Sequence, residues 1–143
     1  MPAEFRRAID AAKEHGFFCL QSIHHDHLEC GGGDLITYYK QMIRALPPFS
    51  EERELLEEHL LGCVRPLAFD TEGRVVVPEA FRKFASLTDR VLFQGRGETF
   101  VMANAEKAEQ RLEATRDKAR EALKRLRNPV GNPAGNPAAG GAL

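Results

Sequence analysis

Two short, largely apolar runs, Val64–Phe69 and Arg74–Val77, flank a polar turn that contains a glycine. This pattern is typical of two β-strands joined by a tight connection. Asp70 can accept hydrogen bonds from backbone N–H groups of its own turn, and Gly73 can adopt a positive φ at little cost. Arg74 follows directly, so the pattern predicts a strand–turn–strand motif that presents one guanidinium group at a fixed place.

Apolar positions recur at helical spacing in two segments that precede this motif. The spacing predicts a helix over Leu35–Leu46, with Asp34 as its N-cap. It also predicts a helix over Glu51–Leu61, with Ser50 as its N-cap. The leucines expected on the buried side of the second helix are Leu55, Leu56, Leu60 and Leu61. Two prolines separate the helices, so the segment predicts a helical hairpin that links two parts of the chain.

Shorter elements are predicted on either side of these segments. The first residues favour a short helix over Phe5–Lys13 and a buried strand over Phe17–Leu20. His24–Gly33 is polar and rich in glycine, and it is predicted to be a loop. After the strand–turn–strand motif, Pro78 fits the first turn of a short helix over Glu79–Ser86.

A second hairpin, a long helix and a tail complete the pattern. Val91–Phe93 and Phe100–Met102 predict two strands joined around Gly95–Gly97. Residues 105–127 predict a charged helix whose small apolar positions alternate in steps of three and four. Such a stripe packs weakly on its own, so we expect this helix to be mobile or to depend on an oligomer. Residues 128–143 repeat Asn-Pro and are too poor in large apolar groups to become ordered.

The chain contains an approximate internal repeat. Pro2–Arg6 aligns with Pro78–Arg82 at an offset of 76 residues (78 minus 2), with proline, phenylalanine and arginine retained. Phe17–Cys19 then falls approximately opposite Val91–Phe93, in each case a strand that follows a short helix. The shared order of elements predicts two related halves. The partner of the polar turn would then lie upstream of Met1, which would leave the first half without its opening hairpin.

Composition and cysteine content place the chain in a broad class. With 143 residues, 43% of them hydrophobic and 29% charged, it is expected to be a soluble globular protein. No window approaches the ~18 apolar residues of a membrane span, and the N-terminus lacks a signal-peptide pattern. The cysteines are Cys19, Cys30 and Cys63, widely spaced and without a C-x-x-C motif, which favours reduced thiols, with Cys63 an inert core residue. These features predict a cytoplasmic protein without a membrane partner.

Charge is distributed unevenly although the net charge is only −1. Residues 51–63 carry five acids against one base, whereas residues 105–127 carry eight bases against five acids. The chain therefore lacks the bulk basicity of many nucleic-acid binders. Any DNA contact must come from a few well-placed arginines, or from many subunits that present them together.

Metal-binding and catalytic alternatives have weaker support. The possible metal ligands cluster in one segment: His24, His25, Asp26, His27 and Cys30. Their spacing matches no standard zinc pattern, so a solvated loop without metal or cofactor is predicted. The sequence has no Walker A motif, nucleophile elbow or H-E-x-x-H motif, and we predict no catalytic residues and no enzymatic activity.

The strongest resemblance is carried by the polar turn and the residues that follow it. Residues 70–82 have the form Asp-x-x-Gly-Arg-Val-Val-Val-Pro-x-x-Phe-Arg, and residues 87–100 are Leu-Thr-Asp-Arg-Val-Leu-Phe-Gln-Gly-Arg-Gly-Glu-Thr-Phe. Residues 46–50 add a Leu-Pro-Pro-Phe-Ser linker. With these motifs the chain resembles the MraZ family of bacterial transcriptional regulators over about residues 2–110.

The resemblance implies an α+β fold made of two tandem AbrB-like swapped-hairpin halves, of the double-split β-barrel type, with short helices, a linker helical hairpin and a C-terminal helix. The expected divisions are a truncated first half at 1–46, a linker helix at 47–63, a second half at 64–104, a charged helix at 105–127 and a disordered tail at 128–143. In the family each half opens with an Asp-x-x-Gly-Arg turn. The first turn is absent here, so either this chain starts late or another subunit fills the gap.

The resemblance also implies a function and a set of DNA-binding residues. The function is sequence-specific regulation of the division and cell-wall gene cluster, with double-stranded promoter direct repeats bound by a homo-oligomer, expected to be a ring, in the cytoplasm at the nucleoid. Only the second motif can be carried over, which assigns DNA binding to Asp70, Gly73 and Arg74. Arg65 and Arg82 are candidate phosphate contacts.

Two other interpretations stay open from the sequence. The turn could be an ordinary surface turn in which Asp70 caps the backbone and Arg74 pairs with it, since exposed ion pairs are common and weak. The protein could also be an AbrB-like antitoxin or an interaction module without autonomous DNA binding, with helix 105–127 as its partner-binding segment. Two tandem halves argue against an antitoxin, because small antitoxins typically carry one.

Overall fold

Five antiparallel strands form one sheet in the computed structural model, which describes residues 1–3 and 15–128. In chain order the strands are β1 (Gly16–Gln21), β2 (Leu28–Gly31), β3 (Arg65–Ala68), β4 (Val91–Arg96) and β5 (Thr99–Asn104). Their order across the sheet is β3-β1-β2-β5-β4. The hairpins β1–β2 and β4–β5 therefore meet at the centre of the sheet through their second strands.

Helices occupy the segments between and after the strands. They are α1 (Gly33–Arg44), α2 (Glu51–Leu56), which continues as a π-helical turn over Glu57–Leu61, α3 (Glu79–Phe84) and α4 (Ala105–Arg127). No helix in the described part of the chain is long and apolar enough to cross a bilayer. The chain divides into two compact units, Met1–Ala105 and Glu106–Leu143. The sheet lies in the first unit, and all of α4 except Ala105 belongs to the second.

The strand pairings connect segments that are distant in the sequence. At the centre of the sheet, Cys30 of β2 lies opposite Phe100 of β5. At one edge, Phe17 of β1 lies opposite Leu67 of β3, so a strand of the predicted second half (64–104) pairs with a strand of the predicted first half. Among the described residues, no strand pairs with the outer edge of β4.

Side chains on the two faces of the sheet belong to two apolar clusters. The first cluster contains Phe17, Cys19, Leu28, Cys30, Leu67, Phe81, Ala85, Phe100 and Met102. The second contains Leu20, Leu35, Ile43 and Leu60. Because successive side chains of a strand point to opposite faces, the neighbours Cys19 and Leu20 are both fully buried, in different clusters. The first cluster packs under the polar turn and α3, and the second fixes α1 and the helical linker to the sheet.

Several predicted elements are confirmed. The buried strand at Phe17–Leu20 lies within β1, the second hairpin is β4–β5, and the long charged helix has the predicted bounds, 105–127. Ser50 caps α2 as expected, since its Oγ accepts a hydrogen bond from the backbone N–H of Arg53 at 3.3 Å. These elements are determined by local patterning, which a sequence shows directly.

The prediction of a loop over His24–Gly33 is wrong in its second part, which forms β2. Leu28 and Cys30 are fully buried there, and Glu29 between them is partly exposed. The alternation of buried and exposed residues covers only four positions and is followed by glycines, so the sequence of this segment is typical of a loop. Only its pairing with β1 and β5 identifies it as a strand. The strand is stabilised by pairing on both edges, with β1 and with β5.

The boundaries of α1 also differ from the prediction. Gly32, and not Asp34, occupies the N-cap, without a side-chain hydrogen bond, and Asp34 lies in the first turn, where its charge suits the helix dipole. The helix ends at Arg44, because the N–H of Leu46 donates to the carbonyl of Ile43, a tightened last turn. Tyr39 fixes α1 to the sheet by donating its hydroxyl hydrogen bond to Glu29 Oε2 at 2.8 Å.

Three smaller expectations need correction around the helical linker and α3. Leu55 was expected to be buried but is 46% exposed, because it lines an open groove. Cys63 is half-buried, where it lines an open groove, and is not in the core. Helix α3 ends at Phe84 because Ser86 adopts a φ of +52°, in the left-handed region that a helix cannot contain.

Two predictions about turns and termini complete the comparison. Gly97 has a φ of +80° and forms the turn of the β4–β5 hairpin, whereas Gly95 and Arg96, which were predicted within the turn, belong to β4. The predicted helix over Phe5–Lys13 and the predicted tail from residue 129 lie outside the described residues.

Candidate DNA-contacting turn

The polar turn follows β3 and is closed by backbone hydrogen bonds. The N–H of Asp70 donates to the carbonyl of Arg74 at 2.8 Å, and the N–H of Gly73 donates to the carbonyl of Asp70 at 3.0 Å. Gly73 adopts a φ of +76°, which an L-residue reaches only with strain. The turn therefore forms as predicted, but Arg74–Val77 is not a strand, because it has no pairing partner among the described residues.

The carboxylate of Asp70 binds three N–H groups of its own turn. Oδ1 accepts hydrogen bonds from the backbone N–H groups of Glu72 and Arg74, each at 2.8 Å. Oδ2 accepts a charge-assisted bond from Arg74 Nε at 2.7 Å. These bonds, first the one from the Arg74 backbone and then the one from its side chain, hold the pKa of the Asp70 carboxyl below its ordinary value of 3.8. Asp70 thus closes the turn and orients the arginine at once.

Arg74 is held by two carboxylates and still faces solvent. Besides the Nε bond to Asp70, its Nη2 lies 2.9 Å from Glu72 Oε2. The side chain of Arg74 remains 72% exposed, and that of Glu72 66%. The pairing with Asp70 is the one expected for an ordinary surface turn. The contact with Glu72 was not predicted, although an acid two residues before the arginine is visible in the sequence.

Apolar anchors on both sides hold the turn against the sheet. Phe69 precedes it, and its ring packs against that of Phe17 with a centroid separation of 5.8 Å. Val75 and Val77 follow it, and both pack against the first cluster. The N–H of Phe69 donates to the carbonyl of His15 at 3.0 Å. The body of the protein therefore fixes both ends of the turn, while its polar tip projects into solvent.

The two candidate phosphate contacts lie on other elements. Arg65 begins β3 and is exposed, and its Nη1 donates to the carbonyl of Val64 at 2.9 Å. Arg82 is exposed in α3, the short helix that begins after Pro78. Neither residue contacts the side chains of Asp70 or Arg74. Their role as phosphate contacts remains a prediction.

The histidine-rich segment was the candidate metal-binding region of the sequence. Within residues 1–3 and 15–128, no group of three or more histidine, cysteine, aspartate or glutamate side chains is arranged to hold a metal ion. The rings of His25 and His27 are 5.1 Å apart, but Cys30 points into the core. Its Sγ lies 3.6 Å from that of Cys19. Burial and this neighbouring thiol raise the pKa of Cys30, so it is a poor source of the thiolate that a metal requires.

Known bacterial proteins are similar to this chain over most of its length. No family model matches it. The chain is 38% identical to the transcriptional regulator MraZ of Caulobacter vibrioides over 127 residues, which cover 89% of this chain and 81% of the relative. It is 34% identical to the transcriptional regulator MraZ of Xanthobacter autotrophicus over 131 residues, 92% of this chain and 81% of the relative.

A third relative extends the agreement to another bacterial genus. The transcriptional regulator MraZ of Rickettsia felis is 33% identical over 128 residues, which cover 90% of this chain and 86% of the relative. Each match spans most of both proteins, so the likeness includes far more than the Asp-x-x-Gly-Arg turn. The chain belongs to the MraZ family of transcriptional regulators.

Proposed function

We propose that this protein is a sequence-specific DNA-binding transcriptional regulator whose base-reading residue is Arg74. The observation that carries the proposal is the geometry of the turn: Asp70 fixes the backbone on either side of Arg74, and the guanidinium remains 72% exposed. A planar guanidinium forms forked hydrogen bonds with phosphate or with guanine edges. Because the turn is fixed before DNA arrives, little conformational entropy is lost when Arg74 binds.

Glu72 occupies Nη2 of Arg74 in the free protein and gives way to DNA in this proposal. An exposed ion pair contributes only ~0–1 kcal/mol, whereas a forked arginine–guanine contact discriminates by ~1–3 kcal/mol. Exchange of Glu72 for a base edge is therefore favourable. Asp70 keeps its bond to Nε during this exchange and continues to orient the side chain.

We further propose that the protein acts as an oligomer. One forked contact is too weak for specific binding, which typically requires a dissociation constant of ~10⁻⁸ M or below. Several subunits bound to repeated boxes gain ~10²–10⁴ through effective concentration. A homo-oligomeric ring on promoter direct repeats of the division and cell-wall gene cluster, at the nucleoid, supplies this gain. Arg65 and Arg82 are proposed to contact phosphates beside each turn.

The strand order supports a proposal of tandem AbrB-like halves with swapped hairpins. Strand β3 comes from the second half of the sequence and pairs with β1 of the first, as expected when hairpins are exchanged between halves. The two hairpins meet through β2 and β5 in an antiparallel pair, which suits two related halves placed about an approximate twofold axis. In this arrangement the Asp70–Arg74 turn lies at the end of an exchanged strand.

The proposal is tested by titrating a fluorescent promoter duplex that carries tandem boxes with the full chain. Wild type is expected to bind, and Arg74→Ala to lose about 5- to 150-fold in affinity per contact, from ~1–3 kcal/mol of readout. Arg96→Ala is the matched control, because Arg96 is also an exposed hairpin arginine and its loss changes the net charge equally. Circular dichroism checks that both variants remain folded.

The outcome also separates the proposal from the alternative of an interaction module without autonomous DNA binding. Such a module predicts that wild type does not distinguish the promoter duplex from a scrambled duplex. Equal affinity of Arg74→Ala and wild type would remove Arg74 from the interface. Sedimentation of the wild-type protein with and without the duplex measures the number of subunits and tests the oligomer separately.

A further inference from the structure

Helix α4 carries a straight row of basic side chains at seven-residue intervals: Arg111, Lys118 and Arg125. A seven-residue step returns to nearly the same face of an α-helix, with a drift of ~20° per step. At 1.5 Å per residue the neighbours are ~10.5 Å apart and the row is ~21 Å long. All three side chains are exposed. We call these three residues the basic row.

Acidic residues of α4 lie on a different part of its surface. Successive residues of an α-helix are rotated by ~100° about its axis. With Arg116 at 0°, the acids lie between ~20° and 140°, whereas the basic row lies at ~180–220°. The acids are Glu106, Glu109, Glu113, Asp117 and Glu121. In the described part of the chain, no member of the basic row forms an ion pair. By contrast, Arg120 Nη1 lies 2.9 Å from Asp117 Oδ1. Lys124 Nζ lies 3.3 Å from Glu121 Oε1.

Self-association of α4 would bring bases against bases along the row. Each row residue immediately precedes a position of the predicted apolar stripe, as a g position precedes an a position in a heptad. These stripe positions are Leu112, Ala119 and Leu126. In an antiparallel pair of α4 helices g positions face one another, and all three are basic. In a parallel pair Arg111 would face Arg116 of the other helix. Both arrangements are destabilised by like charges, so an anionic ligand suits the row better than a second copy of α4.

We infer that the basic row of α4 binds the sugar-phosphate backbone of double-stranded DNA, as a second DNA contact in addition to the Asp70–Arg74 turn. The inference rests on the proposed DNA-binding function and adds a sequence-independent element to it. A duplex carries one negative charge per ~1.7 Å of its axis, so a row ~21 Å long spans many phosphates, and each of its cations can bind a different one. Because phosphates carry no sequence information, the row contributes affinity and salt dependence but no specificity.

The test compares two triple variants of the full chain that lose the same charge. The row variant is Arg111→Gln/Lys118→Gln/Arg125→Gln, and the control variant is Arg116→Gln/Arg120→Gln/Lys124→Gln. Glutamine retains high helix propensity, so α4 is preserved in both, as circular dichroism will verify. Affinities for the tandem-box promoter duplex and for a scrambled duplex are measured by anisotropy at about 50, 100 and 200 mM potassium chloride.

The row variant is expected to lose affinity for both duplexes by the same factor. With three phosphate contacts removed, its slope of log K against log salt falls by about 2.7, so its loss of affinity between 50 and 200 mM is about 40-fold smaller than that of wild type. The control variant is expected to change less, because two of its bases are already paired with acids.

Three results would overturn the inference. If the row variant has the wild-type slope of log K against log salt, or the same slope change as the control, the row does not bind phosphates. In that case, retained preference for the promoter duplex would still leave the proposed function intact. A changed oligomer mass with an unchanged slope assigns the row to a protein contact. Wild-type protein that binds neither duplex removes the proposed function, and the inference with it.

Discussion

Asp70 and Arg74 are joined by three hydrogen bonds that involve both backbone and side chain. The N–H of Asp70 donates to the Arg74 carbonyl, and the Asp70 carboxylate accepts from the Arg74 N–H and from Nε, all at 2.7–2.8 Å. In an α-helix the same spacing would join the two residues by a backbone bond in the opposite direction, from the Arg74 N–H to the Asp70 carbonyl. Here it closes a loop, because Gly73 at φ +76° reverses the chain. The Asp-x-x-Gly-Arg spacing is therefore a structural requirement of the turn as well as a motif.

We predict that acid loosens the turn through Asp70. Its pKa is lowered in the folded protein, so its contribution to stability is present above the ordinary value of 3.8 and is lost as pH falls through the lower folded value. Promoter affinity should thus be unaffected by Asp70 at and above its ordinary pKa, and the carboxylate's bonds to Arg74 should be lost only as pH falls through the lower folded value. A carbon-detected NMR titration of the Asp70 carboxyl measures this. Titration at or above 3.8 would contradict the bonding described here.

We predict that Gly73→Ala weakens DNA binding beyond its effect on stability. The left-handed backbone costs an alanine ~1–2 kcal/mol, which is released if the turn changes shape and moves Arg74. Gly97→Ala is a matched control, since Gly97 has a φ of +80° in another hairpin turn and open space around a Cβ. Both variants should lose similar stability in urea unfolding, but only Gly73→Ala should lose promoter affinity. Equal affinities in the two variants would show that the shape of the turn does not matter for binding.

We predict that Glu72→Gln increases DNA affinity. The glutamate binds Nη2 of Arg74 and places a negative charge beside the proposed site of the phosphates. Removal of an exposed ion pair of ~0.2–1 kcal/mol corresponds to about a 1.5- to 5-fold gain in affinity. Glu98→Gln is the control, because Glu98 is an exposed acid in the β4–β5 turn. The measurement is anisotropy at low salt, and a decrease in affinity would indicate that Glu72 positions Arg74 for DNA.

The sequence was informative where structure is determined locally. Ser50 as a cap, the β4–β5 hairpin and the bounds of α4 follow from side chains close in sequence. The polar turn was also predictable, because Asp70 and Gly73 have specific backbone preferences. Strand β2 was not, because its short alternation becomes a strand only through β1 and β5, which lie on both sides of it. The Arg74–Val77 segment was over-predicted for the converse reason: its pattern suits a strand, but no partner lies beside it among the described residues.

The contact between Arg74 and Glu72 marks the limit of sequence analysis at the candidate site. Composition shows that both charges are present, but only the turn brings Nη2 to 2.9 Å from the carboxylate. The same is true of Cys19 and Cys30, which are separated by ten residues in the chain and lie opposite each other in β1 and β2. Charge counts and spacing cannot reveal either pair, because both depend on the path of the backbone.

We predict that thiol reagents distinguish Cys63 from the other two cysteines in the folded protein. Cys63 is half-buried and lines an open groove, whereas Cys19 and Cys30 have no exposed surface. Burial also raises the pKa of Cys30, which lowers its thiolate fraction. Brief treatment with iodoacetamide at about pH 8, which is below the ordinary thiol pKa, should therefore alkylate Cys63 first. Cys19 and Cys30 should react only in denaturant. Peptide mass spectrometry gives the order, with Cys63→Ser as the control that should remain unmodified. Alkylation of Cys30 as fast as Cys63 would show that the β1–β2 hairpin opens readily and is not the rigid centre of the sheet.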